Sequence, residues 1–311
     1  MKNIISTLII IFVFASSTNA QQSIKLPHNF DNQFLRNPAA TGLWNSLEVS
    51  GFYTKAFSNV DNAPTTLMGA VQYPISKQSG SFGVSIISEK ASLLSNTSIT
   101  GTYAYKLRGL FGNSDFLSLG MGTNLTYLGF NGTEAIVSDV DEPNLGGVES
   151  GFGINFQAGI FYSSSDNVGL RNSDDLIIQA GVGTSRINRA INIKSVYSYN
   201  EVMLINGYLG MIFSQDASLV INSYLESVYE SSGQLNLTIG GRSTFSEAFI
   251  IGASFDSQLA MGIELGYKLK AFSDGLSSVI ININVPFNDV SEYINPGVGI
   301  SYHHKFDIVG W

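Results

Sequence analysis

The side chains best suited to nucleophilic catalysis lie near the C-terminal end of the chain. There, Ser301 precedes His303 by two residues, and His28, His303 and His304 are the only histidines. A serine next to a histidine base is the nucleophile of many hydrolases. In a strand, however, same-face neighbours two residues apart are separated by about 6.6 Å, too far for an easy hydrogen bond. A membrane-embedded hydrolase is therefore the weakest of three hypotheses, and the sequence predicts no enzyme.

Carboxylates cluster in the longest predicted loop, residues 128–150. They are Asp139, Asp141 and Glu142, with Glu134 and Glu149 nearby. Such groups bind Ca²⁺ or bridge lipopolysaccharide through divalent ions, but the ligand spacing of an EF-hand loop is absent. The chain also lacks cysteine, which excludes disulfides and thiolate metal sites. The sequence therefore predicts a solvated acidic loop, with no metal site and no cofactor.

The composition favours a β-protein that faces lipid. The 311 residues include 24 Asp and Glu against 16 Lys and Arg, and charged residues make up only 13%. That share is roughly half of the usual one, whereas aromatic residues reach 12% and the mean hydropathy is positive. A net charge of −8 disfavours binding to nucleic acid, and the aromatic content disfavours a disordered chain.

The N-terminus has the features of a secretory signal peptide. Lys2 is followed by a short apolar run from Ile4 to Ala15 and then by small residues. We predict residues 1–20 as the signal peptide, cleaved after Ala20. Because no cysteine follows, a lipid-anchored lipoprotein is excluded. Residues 21–46 are predicted to be an N-terminal periplasmic segment or a plug in the mouth of the domain that follows.

The rest of the chain, residues 47–311, alternates with the period of a β-strand. In residues 259–270, odd positions carry large apolar side chains, and even positions carry Ala, Gly, Glu or Lys. Repetition of this pattern predicts an all-β, transmembrane antiparallel β-barrel of about 14 strands. We place the strands at 47–56, 65–74, 80–89, 96–107, 115–127, 151–162, 175–185, 200–213, 217–229, 233–244, 247–255, 258–270, 278–286 and 296–306. An even number is typical of single-chain bacterial barrels in the outer membrane.

The face opposite the apolar one predicts an enclosed interior. A soluble β-sandwich would carry mainly Lys and Glu there, whereas this face carries Gly, Ser, Thr and Asn. Its few charges, which we expect to line a pore, hold a plug or brace the wall, are Arg242, Glu264, Lys268 and Lys270. The glycines at 120, 122, 181 and 183 are better explained as small residues that face the lumen than as part of a nucleotide-binding loop, because such a loop must lie at the start of a helix. Tyrosines near strand ends fit aromatic girdles at the lipid interfaces; they are Tyr73, Tyr105, Tyr127, Tyr162, Tyr267 and Tyr302.

Three short motifs follow the predicted signal peptide. Asn37, Pro38, Ala39 and Gly42 form an N-P-A-x-x-G pattern. Tyr53 and Lys55 flank a threonine, and Ala63 and Pro64 follow an asparagine and begin an A-P-x-T pattern. In this order the motifs resemble the N-P-A-x-x-G, Y-R-K and G-A-P-x-T of the PorP/SprF family of Bacteroidetes outer-membrane proteins, with threonine in place of the family's arginine and asparagine in place of its first glycine. More loosely, the resemblance extends over the whole mature chain.

The resemblance implies a component of type IX protein secretion or of the gliding machinery that uses it. It implies contacts with type IX secretion subunits, periplasmic lipoproteins and exported surface adhesins, in addition to outer-membrane lipid. It carries no catalytic residues, and it implies a structural or partner-docking role for the motif residues. The alternative hypothesis is a porin-like or fatty-acid-transporter-like channel of similar strand number, which a lumen closed by the N-terminal segment would disfavour.

Overall fold

Fifteen strands make up nearly all of the regular structure in the part of the chain that the structure describes. The computed structural model describes residues 31–75, 79–112, 114–132, 148–165, 175–188, 191–193, 202–215, 218–246, 248–269, 275–287 and 295–306. The strands are β1 (Leu47–Lys55), β2 (Thr65–Pro74), β3 (Gly80–Ala91), β4 (Leu94–Arg108), β5 (Phe116–Asn131), β6 (Val148–Ser163), β7 (Asp175–Ser185), β8 (Ile191–Ile193), β9 (Leu204–Gln215), β10 (Leu219–Glu230), β11 (Leu235–Phe245), β12 (Phe249–Asp256), β13 (Ala260–Leu269), β14 (Gly275–Pro286) and β15 (Gly297–Phe306).

The strands close into an antiparallel barrel. Each strand pairs with its neighbour in sequence, β1 pairs with β15, and β5 pairs with β6, so the wall has no open edge. The exception is β8, three residues that pair only with the start of β6, while β7 pairs directly with β9. The wall therefore consists of fourteen strands, which confirms the predicted fold.

The observed strands differ from the predicted ones mainly near the acidic loop. The ladder between β5 and β6 continues to Asn131 and Val148, so the predicted loop 128–150 is shorter than expected. The short strand β8 lies in a region predicted to be a loop, because three residues are too few for alternation to be recognised. The acidic residues 134, 139, 141 and 142 lie outside the described residues.

Two rims of the barrel can be distinguished by the chain ends. We call the rim where Leu47 of β1 pairs with Phe306 of β15 the N-terminal rim, and the other one the opposite rim. Antiparallel pairing places the β4–β5 and β9–β10 turns on the N-terminal rim, and the β1–β2 and β10–β11 turns on the opposite rim.

The barrel is apolar outside and polar inside. In β3, Phe82, Val84 and Ile86 are exposed, whereas Ser81 and Ser85, at alternate positions, are buried. Of the six tyrosines predicted near strand ends, all but the half-buried Tyr162 are exposed. A soluble protein distributes its side chains in the opposite way, so the outer surface is suited to acyl chains rather than water. Among the described residues, no helix has the length and apolar character needed to cross a membrane.

Candidate functional site: a plug and its socket

Residues 31–46, which we call the plug, lie inside the barrel before the chain enters β1. They form two short 3-10 helices, Gln33–Leu35 and Pro38–Ala40, joined by tight turns. A barrel of eight strands is filled by its own side chains, and barrels of sixteen or more hold a water-filled channel. Fourteen strands leave a lumen that side chains alone do not fill, and the plug occupies part of this space.

The sequence of the plug specifies its turns. Asn37 is extended (φ −133°, ψ 105°), and its Oδ1 accepts a hydrogen bond from the Ala39 backbone N–H at 3.0 Å. Pro38 follows at the first helical position, where its missing N–H has no cost. Gly42 has a φ of +67°, a conformation that disfavours other residues, and an added Cβ would lie 2.5 Å from Ser81 Oγ. The N-P-A-x-x-G motif therefore encodes a capped turn that ends in an obligatory glycine.

Glycines of the wall form the socket that receives this turn. A Cβ added at Gly120 of β5 would lie 2.1 Å from the Ala39 backbone N. One added at Gly159 of β6 would lie 2.0 Å from Asn37 Oδ1, and one added at Gly183 of β7 would lie 3.0 Å from the Arg36 carbonyl. Because the plug lies this close to the wall backbone, a larger side chain at Gly120 or Gly159 would displace it, and one at Gly183 would press against it.

Hydrogen bonds attach the plug to strands around the barrel. Asn37 Nδ2 donates to the Ile160 carbonyl of β6 at 3.1 Å. From β9, Asn206 Nδ2 donates to the Arg36 carbonyl at 3.0 Å. On β2, Gln72 Oε1 accepts the Gly42 N–H at 2.9 Å. The bonds from Asn206 and to Gln72 involve the plug backbone, so they do not depend on the plug's side chains.

An apolar core forms between the plug and one side of the wall. Phe34, Ala39, Ala40 and Leu43 are fully buried. They belong to one cluster with lumen-facing side chains of the wall, namely Phe52, Met68, Ala70, Phe116 and Phe161. Burial of a Phe or Leu side chain stabilises by roughly 1.5–3 kcal/mol. Phe34 and Leu43 alone therefore favour the docked plug by several kcal/mol.

An ion-pair cluster holds the start of the plug. Arg242 of β11 lies between two carboxylates, with Nη1 2.6 Å from Asp31 Oδ2 of the plug and Nε 2.8 Å from Glu264 Oε2 of β13. All three side chains are mostly buried. Because an isolated buried charge is strongly unfavourable, each charge depends on the others. Arg242 and Glu264 thus share the lumen face and reach Asp31, which the sequence analysis had not singled out.

His303 joins this cluster from β15. Its Nδ1 lies 3.6 Å from Asp31 Oδ1, and its Nε2 lies 3.5 Å from Glu48 Oε2. Lys305 Nζ lies 3.6 Å from Glu48 Oε1 and 3.4 Å from the centre of the Trp44 ring. No hydrogen bond joins Ser301 to His303 in the described part of the chain. Because carboxylates flank the imidazole on both sides, His303 is placed to hold Asp31 of the plug against the wall and not to act as the base of a serine–histidine dyad.

Two further cations bind plug groups. Arg36 Nη1 of the plug lies 2.5 Å from Glu226 Oε1 of β10. The buried Lys106 of β4 donates from Nζ to the Gly42 carbonyl at 2.5 Å and to Asn45 Oδ1 at 3.0 Å. A lysine that donates to carbonyls at a segment's end holds it at a fixed depth. Both contacts join residues far apart in sequence, so periodicity gives no sign of them.

The other predicted residues lie away from the plug. Tyr53 faces outward on β1, and Lys55 Nζ donates to the Ser58 carbonyl at 3.5 Å at the opposite rim. Ala63 is buried in the same β1–β2 turn, where the Pro64 carbonyl accepts the Ala56 N–H at 2.8 Å. Two further predicted lumen charges remain. Lys268 is half-buried on β13, and Lys270 lies outside the described residues. The resembling motifs therefore separate into a plug group and a group at the opposite rim.

Metal binding finds no support in the described ranges. Within them, no group of three or more His, Asp or Glu side chains is arranged to hold a metal ion. The carboxylates of the ion-pair cluster instead face Arg242, His303 and Lys305. The charged side chains of the site therefore pair with one another.

Two solved structures with a similar fold are a channel and a transporter by their titles. The chain matches the CymD monoaromatic hydrocarbon channel with a TM-score of 0.50 and 10% identity, covering 90% of this chain and 94% of that one. It matches the Pseudomonas putida toluene transporter TodX with a TM-score of 0.52 and 7% identity, covering 94% and 96%. At these identities the likeness concerns the fold alone.

The sequence itself matches a family model. No curated protein sequence matches the chain. The model of the type IX secretion system membrane protein PorP/SprF, however, matches residues 18–309. This range includes the plug and every strand of the barrel. The chain belongs to the PorP/SprF family and is an outer-membrane β-barrel of type IX secretion.

Proposed function

We propose that the protein acts in type IX secretion as a plugged scaffold, a fixed barrel that supports export and anchoring of surface proteins without itself conducting them. The observation that carries this proposal is the plug. Its backbone lies against Gly120 and Gly183, its Asn37 side chain lies against Gly159, and ion pairs attach it to β10 and β11. A permeation path along this part of the lumen would require these contacts to break together.

The proposed partners follow from the family and from the two rims. With both chain ends in the periplasm, the N-terminal rim meets type IX secretion subunits and periplasmic lipoproteins. The opposite rim faces the cell exterior, where exported adhesins are held, including those used in gliding. The β1–β2 turn with Lys55, Ala63 and Pro64 lies at this rim and is the proposed docking element. No catalytic step is assigned to the protein.

Deletion of the gene tests the role directly. Proteins of the cell surface and culture medium are compared by mass spectrometry in the parent, the deletion strain and a complemented strain. We expect loss of specific surface adhesins in the deletion strain and their return on complementation. If every surface adhesin is exported normally without the protein, the role is wrong. Affinity purification from native envelopes should recover type IX secretion subunits with the barrel.

A channel is the second candidate function. The two structural neighbours named above are a channel and a transporter by their titles. The lumen also contains buried polar atoms without a hydrogen-bond partner among the described residues, such as Ser85 Oγ and Gln157 Oε1, which suit a hydrated path. This alternative predicts steady conductance or solute uptake by the purified protein in liposomes.

We also propose that the N-terminus is cleaved during export. Residues 1–20 are removed as a signal peptide, leaving residues 21–46 before the barrel. The intact mass of protein purified from the outer membrane should correspond to a chain that begins at Gln21. A mass that retains residue 1 would show that the leader is not cleaved.

A further inference from the structure

The turn between β4 and β5 presents an apolar tip at the N-terminal rim. Leu110 and Phe111 are 48% and 80% exposed, the latter the largest exposure among the large apolar side chains that the structure describes. A turn at a barrel rim that faces only water normally carries polar residues. The exposure of these two side chains therefore calls for a physical explanation.

A buried carboxylate fixes the shape of this turn. Asp115 is almost fully buried, and its carboxylate accepts hydrogen bonds from the N–H groups of Phe111 (2.8 Å) and Gly112 (3.1 Å). The Gly109 N–H donates to the Asp115 carbonyl at 2.9 Å, and Gly109 has a φ of +70°. Charge-assisted bonds to two successive backbone groups hold the tip in one orientation.

That orientation is toward the outer surface of the barrel. The Phe111 ring makes an edge contact with Tyr162, at 5.9 Å between centroids and 74° between planes. Tyr162 follows the exposed Ile160 by two residues and so shares the outward face of β6. Tyr162 of β6 pairs with Leu117 of β5, which in turn pairs with Leu107 of β4. These three side chains form a row across the outer surface, and Phe111 packs against the Tyr162 end of that row.

We propose that Leu110 and Phe111 form an interfacial anchor that inserts into the lipid leaflet at the N-terminal rim. The occupant is lipid because the tip continues the lipid-facing surface of the wall without a break. Aromatic and apolar side chains at this depth are stabilised between acyl chains and headgroups. The anchor fixes the depth of the rim on the side of the barrel against which the plug turn lies.

Spin-label accessibility tests the anchor. The chain has no cysteine, so Phe111→Cys gives a single nitroxide site without further changes. The labelled protein is folded into phosphatidylethanolamine–phosphatidylglycerol liposomes, and power saturation compares relaxation by oxygen, which enters lipid, with relaxation by a water-soluble nickel chelate. Ser218→Cys, at an exposed position just before β10 on the same rim, is the matched control.

At position 111, oxygen should relax the label more than the nickel chelate does, and at position 218 the order should reverse. Leu110→Cys should behave like Phe111→Cys. A label at both positions of the tip that responds like the one at 218 would overturn the proposal and indicate a water-facing or protein-binding surface. Asp115→Ala, added to Phe111→Cys, should shift the ratio toward that of the control. An unchanged ratio would show that the tip reaches lipid without being held by Asp115.

Discussion

Gly120→Ala provides the sharpest test of the socket. The added methyl would lie 2.1 Å, 2.3 Å and 2.4 Å from the Ala39 N, Pro38 C and Ala39 Cα atoms, whereas ordinary contact begins at 3.4 Å. The plug backbone must therefore retreat by about 1 Å, which the capped turn and the ion pairs oppose. Overpacking of this kind costs about 1–3 kcal/mol. Gly101→Ala is the matched control, because a Cβ there meets nothing within 4 Å.

Thiol reactivity reports whether the plug leaves its place. Ser81 is 1% exposed and lies beside Gly42 of the plug, so Ser81→Cys gives a near-isosteric thiol that the docked plug protects. If labelling by an impermeant maleimide requires undocking, a loss of 1–3 kcal/mol raises the labelling rate roughly 5- to 150-fold. We expect this increase with Gly120→Ala and no increase with Gly101→Ala. Equal rates in the two variants would refute the proposed fit between the Pro38–Ala40 turn and β5.

Three further changes test the ion pairs, the cap and the outer surface. Arg242→Gln removes the cation between Asp31 and Glu264 and should lower the free energy of unfolding in urea by about 3–5 kcal/mol. The exposed Lys90→Gln should change it by less than about 0.5 kcal/mol, and equal losses would contradict the role of the cluster. Asn37→Ala should cost about 1–2 kcal/mol because it removes the cap and the bond to β6; Asn37→Ser, which keeps a side-chain acceptor for Ala39 without burying a charge, should cost less, and the reverse order would argue against the cap. Ile239→Arg, on the lipid face in the middle of β11, should cost about 2–4 kcal/mol in liposomes, and Leu235→Arg at its end about 0–1 kcal/mol; equal costs at the two depths would contradict the membrane orientation.

Periodicity was sufficient to predict the wall because it depends on local sequence alone. A strand that meets lipid on one side and an enclosed polar space on the other must alternate, and β3 and β13 do so clearly. The alternation is weaker where the lumen side is itself apolar. Phe52 of β1 packs against the plug, and Tyr208 of β9 stacks between Phe161 and Tyr224. Alternation is accordingly less regular in β1, β9 and β10, whose lumen sides hold such contacts.

The attachment of the plug required the structure. Alternation places Arg242 and Glu264 on one face but gives no partner, and Asp31 lies 211 residues before Arg242. Arg36 and Glu226 are likewise 190 residues apart. The glycines at 120, 159, 181 and 183 indicate space in the lumen, yet nothing local shows that the Asn37–Pro38 turn fills it. Contacts between residues so far apart in sequence form only when the barrel closes, because closure brings strands from distant parts of the chain around the same lumen.

Conductance of the unmodified mature protein in a planar lipid bilayer tests the central claim most directly. If the plug closes the lumen and the barrel serves as a scaffold, inserted molecules should give no steady current, and Gly120→Ala should give more frequent openings. Stable, open channels in the unmodified protein, with conductance unaffected by Gly120→Ala, would contradict this account and favour a transport function.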